Sequence, residues 1–373
     1  MAKSSYIGGI DNKARKIKKG YLGDIDSKAQ KVKKAYIGVN GVARPFFASG
    51  ISYYGQAPDL SSARLAMAAA SVGGYALFAG GYTLQAAGTG YTSVQSGVVD
   101  AYDEALVRSS PVTISARSEM QGVSFGKYAV FSFSRNNSVI NFIDSAFVNK
   151  TLTGYGCSLI GAATVGDNEY VMFTGGFNNA TQKTVQCISA ALVSSSSLSL
   201  GTARYRHAGA SVGGYALFAG GMNDVTSHMS SVEVFSPELV KSSATSLYTA
   251  TKNLSGASFG DYALFGGGRA SGGTLVTVTA YNSELVKCQV PDLSSGRSFI
   301  ATAVLQDHAL FGGGSSNGSD DGAAGVVDIY NEDLVHSVAE QGLASPTMYP
   351  AATTIGNYAL FAGADGAVTA YTI

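Results

Sequence analysis

Five basic residues stand at the head of similar small-residue runs: Arg64, Arg117, Arg204, Lys252 and Arg297. Cationic groups collected from separate segments suit carboxylates, phosphates and hydroxyl-rich ligands. Arg204 is followed by Tyr205, Arg206 and His207, which add an aromatic face, a second guanidinium and an imidazole. These eight residues are the candidate ligand-binding set. The competing reading is that an arginine in this place braces neighbouring loops and meets no ligand. A second basic group, Lys16, Lys18, Lys19, Lys31, Lys33 and Lys34, belongs to residues 1–44, where eleven Lys/Arg face three Asp for a net of +8. The remainder carries −8, so a basic arm is joined to a mildly acidic body.

No catalytic set emerges, and none is expected. His207, His228, His308 and His336 fall in different segments. There is no Gly-x-Ser-x-Gly elbow, phosphate loop or His-Glu-x-x-His, and Gly88-Thr89-Gly90 alone makes no dinucleotide site. Asn317-Gly318-Ser319-Asp320-Asp321-Gly322, with Asp328 beyond it, has some of the oxygen ligands of a calcium loop. However, Asp328 also matches Asp100 as a strand residue, which favours a polar loop. Cys157, Cys187 and Cys288 are too few and too scattered for a disulfide framework or a zinc site, and read as small core residues. The expectation is a protein with no cofactor and no metal.

The elements that position these residues come from a repeat. ASVGGYALFAGG occurs twice, at 70–81 and 210–221, and relaxed matches to its YALF core occur at Tyr75, Tyr128, Tyr170, Tyr215, Tyr262, His308 and Tyr358. Their spacing runs from 42 (Tyr128 to Tyr170) to 53 residues (Tyr75 to Tyr128), the length of one four-stranded propeller blade. Each unit has a small-residue strand a, a tight turn such as Gly73-Gly74, and an apolar strand b ending in a glycine doublet. Strand c follows, as in Val99-Asp100-Ala101-Tyr102, where alternation predicts a half-buried strand. Strand d opens with phrases such as Leu106-Val107-Arg108. The b–c connections at 82–97, 221–230 and 315–325 are long and should share a face with the basic residues. Charge-free residues 65–99 contain too much Gly, Ser, Thr and Gln for a membrane span. MAKSSYIGGIDNKARK has no apolar run, so no secretory signal is expected.

The last unit stops at strand c, Val368-Thr369-Ala370-Tyr371, while residues 51–57 form an orphan strand before the first unit. Pro58-Asp59-Leu60-Ser61-Ser62 follows that orphan, and the same phrase, Pro291-Asp292-Leu293-Ser294-Ser295, leaves a strand d. The orphan should therefore complete the seventh blade and close the ring. With its glycine doublets, its Val-x-x-Tyr strand and its arginine opening strand a, the chain resembles kelch-type β-propellers. It lacks the family's usual Trp, and Ser132-Phe133-Ser134 lacks the doublet. The expected fold is all-β: a seven-bladed kelch-like propeller over 48–373, preceded by an arm over 1–47. Copper-radical oxidases of this fold need two His, two Tyr and a Cys near the axis, a set not found here.

In the arm, Tyr6-Ile7-Gly8, Tyr21-Leu22-Gly23 and Tyr36-Ile37-Gly38 recur, and Asn40-Gly41 between Val39 and Val42 signals a hairpin. Short hairpins of this kind bury too little to stand alone. The lysines fit a solvated face, docking onto an acidic protein surface or oligomer seam, or an anionic polymer; nucleic acid is disfavoured because the body adds no basic surface. The arm resembles an N-terminal repeat of phage and prophage tail-associated proteins of Gram-positive bacteria. That resemblance implies attachment to virion or tail proteins through 1–47, recognition of a host-surface polymer or protein by the propeller, and a virion or extracellular location. The alternatives are a cytoplasmic kelch adaptor for an acidic peptide, or a glycan-active propeller enzyme.

Overall fold

A computed structural model describes residues 50–373 except 88, 89, 225 and 226. Of the preceding arm it describes the backbone of residues 21–23, 29–31, 34–39 and 42–48. The chain divides into two compact units, Met1–Ile51 with Ile373, and Ser52–Thr372. In the first, Tyr21–Gly23 pairs with Ala29–Lys31, and Lys34–Val39 pairs with Val42–Ala48. Val39 lies opposite Val42, where the sequence predicts a hairpin. Residues 40 and 41, the unit at Tyr6, and Lys16, Lys18, Lys19 and Lys33 lie outside the described residues. Lys31 and Lys34 sit on described strands.

The second unit is a seven-bladed β-propeller of antiparallel four-stranded sheets. Blade 1 consists of Ala68–Val72, Tyr75–Ala79, Val98–Asp103 and Arg108–Thr113 as strands a to d. Strands a of blades 2 to 7 are Gly122–Phe125, Gly161–Val165, Ala208–Val212, Ser255–Phe259, Ala301–Leu305 and Ala351–Ile355. Blade 7 takes its outer strand from Ser52–Ala57, which pairs with Val368–Thr372, so the orphan strand closes the ring as expected. Among the described residues no helix is long and apolar enough to cross a membrane.

Strand b is buried on both faces because blades stack on either side of it; Ala76, Leu77, Phe78 and Ala79 are wholly buried. The two large side chains, Leu77 and Phe78, contribute about 1.5–3 kcal/mol each. The glycine doublet that follows is an inter-blade joint. Gly268 donates its N–H to the carbonyl of Arg297 on the next blade at 2.8 Å. Gly267 has φ +67°, and a Cβ there would lie 2.5 Å from that same oxygen. Gly81 to Arg117, Gly176 to Arg204, Gly221 to Thr251 and Gly314 to Thr347 repeat the bond.

Strand c corrects the sequence reading. Val99, Asp100, Ala101 and Tyr102 are all 0% exposed, so the strand is buried on both faces rather than half-buried. Its polar residue is tolerated because a cation meets it inside the blade.

Candidate functional site at the channel mouth

The inter-blade bonds define which residues are equivalent. They align Arg117, Arg204, Thr251, Arg297 and Thr347. Arg64 and Cys157 occupy the same place in blades 1 and 3, three residues before the buried Met67 and Ile160. Lys252 is therefore one residue out of the register the sequence suggested; its counterpart in blade 4 is Tyr205.

The four arginines are corrected as ligand-binding candidates. Arg64, Arg117, Arg204 and Arg297 are between 0% and 1% exposed and point into their blades. Arg64 Nη2 donates to Asp100 Oδ2 at 2.8 Å, Arg204 Nη2 to Glu233 Oε1 at 2.8 Å, and Arg297 pairs with Asp328. Arg117, which has Asn141 Oδ1 at 2.5 Å instead of a carboxylate, is pushed by burial down to about 10 and remains cationic at neutral pH. Where the first position is Cys157, Thr251 or Thr347, the strand c position is Gln186, Thr279 or Thr369. Three of the four buried arginines thus meet a carboxylate, and the fourth, Arg117, is held by the Asn141 amide and by backbone carbonyls of Ser115, Phe131 and Ser132, as the cost of an unsolvated buried ion requires. The strand c carboxylates also accept from the d–a loop, Asp100 from Ser61 N–H and Asp328 from Ser294 N–H. Asp328 accepts from His336 as well, and so belongs to this latch rather than to a calcium loop.

His207 is likewise corrected. It is 5% exposed, its Nε2 lies 2.8 Å from Thr174 Oγ1, and burial followed by the nearby Arg204 keeps it neutral, with a pKa well below the usual histidine value. Tyr205 is buried, packing against Phe177 with ring centroids 5.3 Å apart. Of the eight predicted residues, only Arg206 and Lys252 carry partly exposed cations.

The residues that open onto the axis lie two places beyond the latch. In blade order they are Ala66, Glu119, Leu159, Arg206, Asn253, Phe299 and Tyr349, and all line one axial cavity of about 330 Å³. Six are left-handed without being glycine: Ala66 (φ 51°), Glu119 (56°), Leu159 (58°), Arg206 (57°), Asn253 (54°) and Phe299 (58°). This conformation costs an L-residue about 1–2 kcal/mol. In four of the six it turns the amide toward the preceding blade. Glu119, Arg206, Asn253 and Phe299 donate to the carbonyls of Ala66, Leu159, Arg206 and Asn253 at 2.8–3.2 Å. The seven side chains are all different, although the backbone holds six of them alike.

Around this mouth stand the b–c connections, tied down by bridges such as Leu65 to Tyr82, Tyr205 to Met222 and Lys252 to Arg269. Blade 1 extends a hairpin here, Tyr82–Ala87 with Gly90–Gln95, which exposes Tyr91 and Leu84. In blades 4 and 5, Arg206, His228, Lys252 and Arg269 gather. Burial, then Arg206 and Arg269, lower the Lys252 pKa; burial, then Lys252 and Arg269, lower that of His228. Phe299 and Tyr349 form an aromatic pair with centroids 4.6 Å apart. Among the described residues no three His, Cys, Asp or Glu side chains form a metal-binding group. The sequence reading missed the mouth residues other than Arg206; their signal is a fixed offset from the latch combined with seven different side chains. No protein-family model matches the chain and no curated protein matches it, so architecture and site geometry carry the functional argument.

Proposed function

We propose that this is a non-catalytic binding protein whose channel-mouth face recognises a glycan or protein on a host cell surface, while the basic arm attaches it to a larger particle. The observation that carries this reading is the mouth ring: six left-handed, non-glycine residues, of which all but Asn253 are strained there, present unlike side chains around one cavity. Strain retained at a concave site, where glycine or asparagine would cost less, points to use of the side chains. The glycine doublets and latch arginines support a place among kelch-type propellers. The arm's repeat supports the tail-associated role, in which residues 1–47 bind virion proteins.

The test is retention of the full-length protein on cell-wall fragments of Gram-positive bacteria. The variant Arg206→Asn/Phe299→Asn should bind at least tenfold more weakly while melting no lower than the parent. Unchanged retention would remove the mouth from the recognition surface.

A further inference from the structure

Two sets of cations in the propeller contrast. Those inside the blades each meet a carboxylate or an amide, as described for Arg64, Arg117, Arg204 and Arg297. Those at the mouth, Arg206, His228, Lys252 and Arg269, meet no carboxylate among the described residues, although Arg269 donates to the Asn317 carbonyl. Their backbones form one hydrogen-bonded patch. Lys252 and Arg269 exchange N–H to carbonyl bonds at 3.1 and 2.8 Å, Asn253 donates to the Arg206 carbonyl at 2.9 Å, and Met222 bridges both Tyr205 and His228. Burial first, and then the neighbouring cations, lower the Lys252 and His228 values. Three of the four buried arginines are neutralised by a carboxylate, whereas no carboxylate among the described residues neutralises this cluster, which suits an incoming anion.

The neighbouring arc has the opposite character. Phe299 and Tyr349, on blades 6 and 7, line the same cavity as Arg206 and Asn253 and offer flat, partly exposed rings. Such rings take the C–H face of a sugar. At about 330 Å³ the cavity lies at the small end of ligand sites, with room for one ring-sized unit. An acidic peptide fits less well. Peptides add affinity through backbone hydrogen bonds, but the N–H groups of Glu119, Arg206, Asn253 and Phe299 are already spent on neighbouring blades.

We propose that the channel mouth binds one acidic saccharide unit, with the sugar face against Phe299 and Tyr349 and its carboxylate or phosphate held by Arg206 and Lys252. This rests on the recognition reading above and adds the charge and size of the ligand.

Calorimetric or saturation-transfer titration of the full-length chain with five probes tests it: glucuronate, glucose 6-phosphate, glucose, inorganic phosphate and tri-glutamate. The two sugar acids should bind, glucose and inorganic phosphate at least tenfold more weakly, and the stronger sugar acid identifies the anion. Arg206→Asn should cost at least tenfold for the sugar acids without lowering the melting temperature, because asparagine tolerates the left-handed backbone. Lys252→Gln is a second variant that leaves the mouth backbone unaltered, with a several-fold loss expected. Glucose binding as well as the acids, tri-glutamate binding more tightly, no binding of either sugar acid, or unaffected variants would each overturn the proposal. If the protein stays on cell-wall fragments while neither sugar acid competes it off, recognition by this face stands and the acidic unit falls.

Discussion

The latch and the mouth lie two residues apart in every blade, yet they follow opposite rules. At the latch, the seven blades use a narrow set of solutions: arginine with Asp, Glu or Asn, or a neutral pair. At the mouth, seven blades carry seven different residues, six of them on nearly the same backbone. Both positions are costly, one in desolvation and the other in backbone strain. At the latch the compensating contact is made by the side chain itself; at the mouth it is made by backbone bonds between blades, and the side chains differ. Uniformity under a physical cost marks what the fold needs. Diversity under a similar cost is what the proposed recognition by this face would draw on.

This contrast can be broken most forcefully at the latch. Asp100→Ala leaves the Arg64 guanidinium buried with Ser62 Oγ as its remaining side-chain partner, and should cost about 3–5 kcal/mol in urea unfolding. Copying the neutral pair of blade 5, Arg64→Thr with Asp100→Thr, should recover most of that loss. A double variant as unstable as the single one would show that the charge itself is required. Next comes the joint: Gly267→Ala combines φ +67° with a Cβ 2.5 Å from the Arg297 carbonyl, for an expected loss of about 2–4 kcal/mol.

His207 should give a smaller, pH-dependent effect. The unfolded chain takes up a proton near 6.5, whereas the buried ring does so only well below that. Between the two values the unfolded state binds more protons, so stability present above pH 6.5 falls by about 1.4 kcal/mol per unit as the pH drops. His207→Met, which copies Met67 and Met120, should flatten that slope between pH 6.5 and 5. The smallest effect on stability belongs to the mouth. Arg206→Asn should raise stability by about 0.5–1 kcal/mol through relief of its left-handed strain. Loss of stability there would mean that the arginine serves the fold and that the contrast fails.

Much of the architecture was legible in the sequence because the repeated YALF strand, its turn and its glycines each answer to a local rule. The closing strand was legible because Pro58-Asp59-Leu60-Ser61-Ser62 recurs after a strand d. The latch was harder. Asp100 and Glu233 look like solvent-facing alternation until the arginine of the same unit is seen to need them. That co-occurrence, with Thr251 matched by Thr279, was present in the sequence. Lys252 was misaligned because it was matched by charge; counting three residues back from the buried Leu254 gives Thr251. The mouth was least legible, since left-handed backbone at Leu159 or Phe299 follows from contacts between blades and no local preference announces it.

The seam between Ser52–Ala57 and Val368–Thr372 joins residues 320 apart, Ser52 Oγ reaching the Thr372 carbonyl. During synthesis, the first propeller strand to emerge is thus the last to gain its partner. For nearly the whole of translation the growing sheets carry open edges at both ends, the condition under which β proteins mispair with their neighbours. Removing Val368–Thr372 would leave Ser52–Ala57 without the strand it pairs with, so the ring would stay open at blade 7.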